Sequence, residues 1–297
     1  MAGVVFLDGA YQAPEDARMS IFDAAYIYSD VVYDVTSVWK GWFFKLDEHL
    51  ERFERSCAGF RLQNPYDRDA MRRILAECVH RAGLEDAYVK VECKRGVVPK
   101  FSRDLRLAEQ EFMGYALPYI WIWGEEKCRN GVDVHVARSV TRTPSASVDA
   151  RYKNYNRADL VQGRLEAYDH GCDDGLLLGQ HGEVTEGFGW NVLVVKDGVV
   201  ATPDENVLEG VTRDAVEELC ADLGIPFELR RVMPEELAAA DEVFASTTAG
   251  GVMPIVALTG KPVADGAAGP ITRRLQQEYW DRRERGWHGT RVADLLA

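Results

Sequence analysis

Apolar residues recur along the chain at two spacings, and each change of spacing marks an element. Val31 to Trp39 is dense in β-branched and aromatic residues and predicts a strand; Lys40-Gly41 turns it back into Trp42-Phe43-Phe44-Lys45-Leu46. Ala87 to Lys94 alternates, with Val89, Val91 and Cys93 on one face and Tyr88, Lys90, Glu92 and Lys94 on the other. Between these runs the spacing becomes helical. Asp47 can cap a helix from Glu48 to about Gly59, and Met71, Ile74, Leu75, Cys78 and Val79 give a second helix from Asp67 to Ala82. With a strand at Val4–Leu7 and an aromatic one at Met113–Trp123, this makes a small α+β domain over residues 1–119.

A polar stretch inside residues 120–131 reads as a linker. Residues 132–297 then alternate less regularly. Strands are predicted at Val132–Val140, Gly175–Gly179, Asn191–Lys196 and Glu242–Ser246, and helices at Ala158–His170, Thr212–Leu223, Pro234–Ala240 and Pro270–Glu284. The expected class is an α+β / α/β two-domain protein without internal repeats.

Bulk properties remove several functions. The 297 residues are 46% hydrophobic and 28% charged, as in an ordinary globular protein, and no apolar run is long enough to cross a membrane. A formal charge of -13 argues against a nucleic-acid surface. The six cysteines are scattered without a Cys-x-x-Cys pair and fit reduced thiols in a cytoplasmic protein; the histidines are equally dispersed and predict no metal constellation.

The candidate chemistry centres on Arg151-Tyr152-Lys153-Asn154-Tyr155-Asn156-Arg157. Lys153 is followed by an acidic turn, Val184-Thr185-Glu186-Gly187, by Gly210-Val211-Thr212 opening a helix, and by Thr247-Thr248-Ala249-Gly250-Gly251. An amine, a carboxylate and two anion-binding turns are the groups that hold pyridoxal phosphate. A helix start offers backbone amides, here Val211 and Thr212, to a phosphate, and Arg52 can add a charge-assisted contact.

In this order, with Asp23…Ser29-Asp30…Tyr33 and His49-Leu50-Glu51-Arg52 ahead of them, these motifs resemble the fold-type-IV pyridoxal-phosphate aminotransferases (D-amino-acid aminotransferase-like fold) from about Leu7 to Thr272. Ser37-Val38-Trp39, Pro118 to Ile122 and Thr247 through Pro254 look closest to the (R)-selective amine transaminases and D-amino-acid aminotransferases. The resemblance implies an internal Schiff base on Lys153, which then shuttles the proton between the substrate α-carbon and the cofactor C4′. It implies Glu186 on the pyridine nitrogen, and Arg52, Val211, Thr212 and Thr248 on the phosphate. It also implies a homodimer that passes an amino group from an (R)-amine or D-amino acid to a keto acid such as pyruvate. The alternatives on the same fold are a branched-chain L-amino-acid aminotransferase and an aminodeoxychorismate-lyase-like enzyme.

The pocket implied by the resemblance includes Tyr28, Tyr33, Tyr88, Arg157, Phe188, Thr247 and Ala249. Four positions depart from the amine transaminases: Tyr28 stands for His, Arg157 for an aromatic residue, Phe188 for Ser, and Lys94 for the Thr before Arg95-Gly96. Arg157 can hold a substrate carboxylate, or it can pair with Asp159 or Glu186. Tyr28, Tyr33 and Tyr88 can line the larger pocket or simply pack. Lys100 and Arg103, on a basic loop, can reach a carboxylate or remain solvated.

Overall fold

The computed structural model describes residues 2–99 and 102–297 and separates into two units. The first comprises residues 1–120, 152–156 and 283–297, and the second residues 121–151 and 157–282.

The first unit is a seven-stranded antiparallel sheet of β1 (Val4–Leu7), β2 (Ala10–Gln12), β3 (Val31–Trp39), β4 (Trp42–Phe44), β5 (Ala87–Lys94), β6 (Glu111–Pro118) and β16 (Gly289–Arg291), in the order β16-β4-β3-β5-β6-β1-β2. A short helix, α1 (Ala24–Tyr28), precedes β3. Helices α2 (Leu46–Gly59) and α3 (Arg68–Ala82) cover one face, where Phe43, Leu50, Phe53, Met71, Val89 and Val91 form the core. The predicted strand Met113–Trp123 stops at Pro118, which has no N–H to continue a ladder.

Two segments that the sequence places in the second domain return to this unit. Tyr33 N donates to the Lys153 carbonyl at 3.0 Å, and β16 pairs with β4. Both joins are made by backbone hydrogen bonds between distant parts of the chain, which hydrophobic spacing does not register.

The second unit closes a barrel. Its strands are β7 (Val132–Thr141), β8 (Asp174–Leu178), β9 (Val184–Gly187), β10 (Trp190–Lys196), β13 (Glu242–Thr247) and β14 (Gly251–Leu258). The order β10-β13-β14-β7-β8-β9 returns on itself because β9 also pairs with β10. Strands β11 (Val199–Thr202) and β12 (Phe227–Leu229) extend it beyond β10, and the short β15 (Lys261–Pro262) pairs with β14. Helices α5 (Ala158–Asp169), α6 (Val211–Leu223), α7 (Pro234–Ala238) and α8 (Pro270–Glu284) accompany these strands.

Two sequence expectations change here. Val184–Gly187 is the buried strand that closes the barrel, not a turn; the turn comes after it, at Phe188-Gly189. The expected linker contains the helix α4 (Glu125–Asn130), anchored by buried Cys128. A four-residue strand and a six-residue helix are both too short to show a period.

Candidate active site

Lys153 sits in a non-helical segment held from both sides. Its amide donates to Ser56 Oγ at 3.0 Å, and the Ser56 hydroxyl in turn donates to the Arg52 carbonyl at 2.9 Å on α2. Asn154 forms a bridge to Val32, next to the bond from Tyr33 N. Gly59, the last residue of α2, leaves room for the Tyr152 ring, which a Cβ there would meet at 2.4 Å. The Lys153 Nζ lies 4.9 Å from the centroid of the Tyr33 ring. Ser56 was invisible to sequence reasoning; a buried serine on a helix face carries no periodic signal.

Arg52 is buried on α2. Its Nε and Nη2 both reach Asp34 on β3 at 2.8 Å, and His49 Nδ1 meets the same carboxylate at 2.7 Å. Burial favours the neutral form of Asp34, but the charge of Arg52 and the hydrogen bond from His49 outweigh it and hold the carboxyl far below its usual range.

Past Tyr33 the outer face of the sheet is charged yet enclosed. Lys90 Nζ lies 4.5 Å from the centroids of both Tyr33 and Tyr155 and 2.6 Å from Glu92 Oε1. The Tyr155 hydroxyl contacts both charged groups. Tyr88 shares this face, as the alternation predicts. Tyr28, at the end of α1, is 58% exposed. Lys94, the departure from Thr, is spent on Asp23 and, at 2.6 Å, on Glu111. Arg103 is exposed, and Lys100 lies outside the described residues.

In the second unit Glu186 is buried on β9. Its Oε1 accepts from Arg142 Nε and Nη2 at 3.1 and 3.0 Å, and its Oε2 from the Leu208 amide at 3.0 Å. Arg142 also donates through Nη1 to Asp159 Oδ2 at 2.7 Å. Burial works against the charge on Arg142, but Glu186 and Asp159 outweigh it and raise its pKa. Sequence reading missed Arg142, which stands alone in a loop-like Thr141-Arg142-Thr143.

Arg157, just ahead of α5, lies 5.4 Å from the Phe188 ring centroid, and Arg164 lies 4.3 Å from the same ring. Phe188 packs on Ala137, Leu160 and Leu177. Burial pushes the Arg157 guanidinium down to about 10, opposed by the charges of Glu186 and Asp159.

Helix α6 starts after Gly210, whose side-chain-free position leaves the first amides without a side-chain cap. Val211 and Thr212 are buried, and the Thr212 hydroxyl has no hydrogen-bond partner among the described residues. A buried, unsatisfied hydroxyl beside uncapped amides fits the phosphate of pyridoxal phosphate. Thr248 is in the turn after β13, where Thr247 Oγ1 donates to the Gly189 carbonyl at 2.7 Å and the Ala249 carbonyl accepts from Ile122 N at 2.9 Å.

The histidines are less scattered in space than in sequence. Donor atoms of His135, Glu166 and His170 lie within 4.8 Å of one another, because Glu166 on α5 and His170 at its C-cap are one turn apart and α5 packs on β7. The cluster is explained as a clamp. His135 contacts Thr259 Oγ1 at 3.0 Å and Glu166 at 3.1 Å, and Glu166 also accepts the Arg138 and Ser139 amides at 2.7 and 3.0 Å. The two rings are stacked at 4.2 Å with planes 16° apart, so their lone pairs do not converge on a common ion.

A closed barrel with an arginine-locked carboxylate and an uncapped helix start is the equipment of an enzyme built around a phosphorylated cofactor. The amino-transferase class IV family matches residues 31–258, and the chain belongs to that family, whose cofactor is pyridoxal phosphate. A D-alanine aminotransferase of Staphylococcus aureus is 29% identical over 286 residues, covering 93% of this chain and 96% of its own. A branched-chain-amino-acid aminotransferase of Pseudomonas aeruginosa is 28% identical over 288 residues, covering 94% and 92%. The crystal structure of the T.th. branched-chain amino acid aminotransferase with pyridoxamine 5'-phosphate matches at a TM-score of 0.91 and 29% identity, covering 98% of this chain and 99% of that one. The chain is a fold-type-IV, pyridoxal-phosphate-dependent aminotransferase, as its motifs imply.

Proposed function

We propose that this aminotransferase moves the amino group of a D-amino acid, or of an (R)-amine, to a keto acid such as pyruvate. Arg157 is the observation that carries a carboxylate-bearing donor. A guanidinium held against the Phe188 ring and pushed down by burial is a partly desolvated cation, and such a cation binds a substrate carboxylate more strongly than a fully hydrated one does. The D hand is supported by the similarity to D-alanine aminotransferases.

When bound, the cofactor supplies an electron sink for cleavage of the bond between hydrogen and the substrate α-carbon. Lys153 is the attachment amine and carries the proton between that carbon and the cofactor C4′. Glu186, fixed in place by Arg142, would face the pyridine nitrogen of the bound cofactor and keep its proton there. Arg52, the Val211 and Thr212 amides, and the hydroxyls of Thr212 and Thr248 take the phosphate. Tyr28, Tyr33, Tyr88, Phe188, Thr247 and Ala249 shape the substrate pocket.

The protein works as a homodimer in the cytoplasm. Ile21, Phe22, Tyr26, Ile27 and Tyr28, close together in sequence, are all exposed, and apolar side chains concentrated in this way are of the kind a second subunit covers. A second reading, transamination of branched-chain L-amino acids, is supported by the similarity to the Pseudomonas and T.th. enzymes.

The test is kcat/KM for D-alanine, (R)-1-phenylethylamine and L-leucine with pyruvate and 2-oxoglutarate, in the wild type and in Arg157→Ala. Preference for D-alanine, lost in the variant, supports the first reading. Preference for L-leucine establishes the second.

A further inference from the structure

The ion pair of Lys90 and Glu92 is expensive. Both side chains project from the same face of β5, both are buried, at 8% and 5% exposure, and they stand 2.6 Å apart. A strand with one face already in the hydrophobic core gains no stability by enclosing charges on the other, and a buried pair is often no better than an apolar one.

Its position suggests why it is kept. The Lys90 Nζ is 4.5 Å from the Tyr33 ring centroid, and the Lys153 Nζ is 4.9 Å from the same ring. One ring is thus shared by the pair and the reactive amine. The Tyr155 hydroxyl, from the segment that carries Lys153, closes the triad by contacting both partners.

We propose that Glu92 is a built-in carboxylate that occupies Lys90 and thereby excludes acidic side chains from the substrate site. The filter rests on the aminotransferase reading but not on the hand of the substrate. A substrate with a second carboxylate at this wall finds the cation already taken by Glu92, and an enclosed carboxylate without a counter-ion carries a large desolvation cost. A neutral side chain of the same shape meets no such penalty. Lys90 without Glu92 would be a buried cation seeking an anion, and the selectivity would invert.

The experiment compares glutamine with glutamate, near-isosteres that differ in charge, as amino donors to the holoenzyme. It uses the D pair and the L pair, so that a wrong assignment of hand is separated from failure of the filter. The wild type is expected to favour glutamine by about tenfold or more in kcat/KM, in whichever hand it accepts. Glu92→Gln is expected to cut that ratio to near one or reverse it while alanine turnover persists. Equal rates for glutamine and glutamate in the wild type, or equal failure of both, overturn the proposal without any need for a folded variant. An unchanged ratio in a Glu92→Gln protein that still turns over alanine overturns it as well.

Discussion

Arg142 binds two carboxylates at once: Nε and Nη2 reach Glu186 Oε1 at 3.1 and 3.0 Å, and Nη1 reaches Asp159 Oδ2 at 2.7 Å. All three side chains are buried. Arg142→Met leaves two enclosed carboxylates without their cation, and breaking a buried pair from one side costs about 3–5 kcal/mol. The expected result is a large drop in the melting temperature of the cofactor-free protein. A fall in kcat on the order of 10–100-fold is also expected, since partners that orient a functional ligand matter to that degree in metal sites. An unchanged melting temperature would show that the pair is not structural.

Thr212 gives a prediction in which two readouts must diverge. Its hydroxyl is buried without a hydrogen-bond partner among the described residues, so Thr212→Val removes an unsatisfied group from the cofactor-free protein and is expected to leave its stability equal or higher. If the hydroxyl serves the cofactor phosphate, the same change weakens cofactor binding by about 1.5–3 kcal/mol, roughly ten- to a hundredfold in Kd. Titrating pyridoxal phosphate into the apoprotein by absorbance checks it. Equal affinity of variant and wild type would remove Thr212 from the phosphate site.

What sequence alone could show follows from what each element writes into it. Strand β3 and helices α2 and α3 are long and periodic, and they stand where the pattern predicts them. Glu186 and Thr212 could be singled out because a glycine stands close beside each. Ser56, Arg142 and Lys90 could not, because each acts through a partner far away in the chain: Lys153 is 97 residues from Ser56, Glu186 44 from Arg142, and Tyr155 65 from Lys90. The polar face of β5 was legible as alternation. That it is enclosed was not, because alternation normally means that the polar side meets water.

The proposed function makes Lys153 the residue that reacts. Lys153→Ala is expected to abolish turnover, since proton transfer alone contributes on the order of 10²–10⁴-fold and the attachment amine is lost as well. The hydrogen bond that its backbone N–H donates to Ser56 and the one that its carbonyl accepts from Tyr33 N survive the substitution, so the fold should hold. Borohydride treatment and peptide mass mapping should label residue 153 in the wild type and nothing in the variant. A label elsewhere in active protein would end the assignment.

His49 sets an acid limit on stability. Burial lowers its pKa; Asp34 opposes this, while Arg52 and Lys153 reinforce it. Its Nδ1 meets Asp34 at 2.7 Å, and its Nε2 is buried without a partner among the described residues, so a proton there would be an unsatisfied charged donor. The neutral ring therefore suits the folded state, and the unfolded chain takes up the extra proton below its ordinary value of about 6.5. The stability that His49 contributes is complete above that pH. It declines as the pH falls further, by at most about 1.4 kcal/mol per unit, until the folded-state value is reached. Melting temperatures between pH 7.5 and 5.5 should fall more steeply for the wild type than for His49→Gln, whose amide can still donate to Asp34 but does not titrate. Parallel curves would mean that His49 is protonated within the fold.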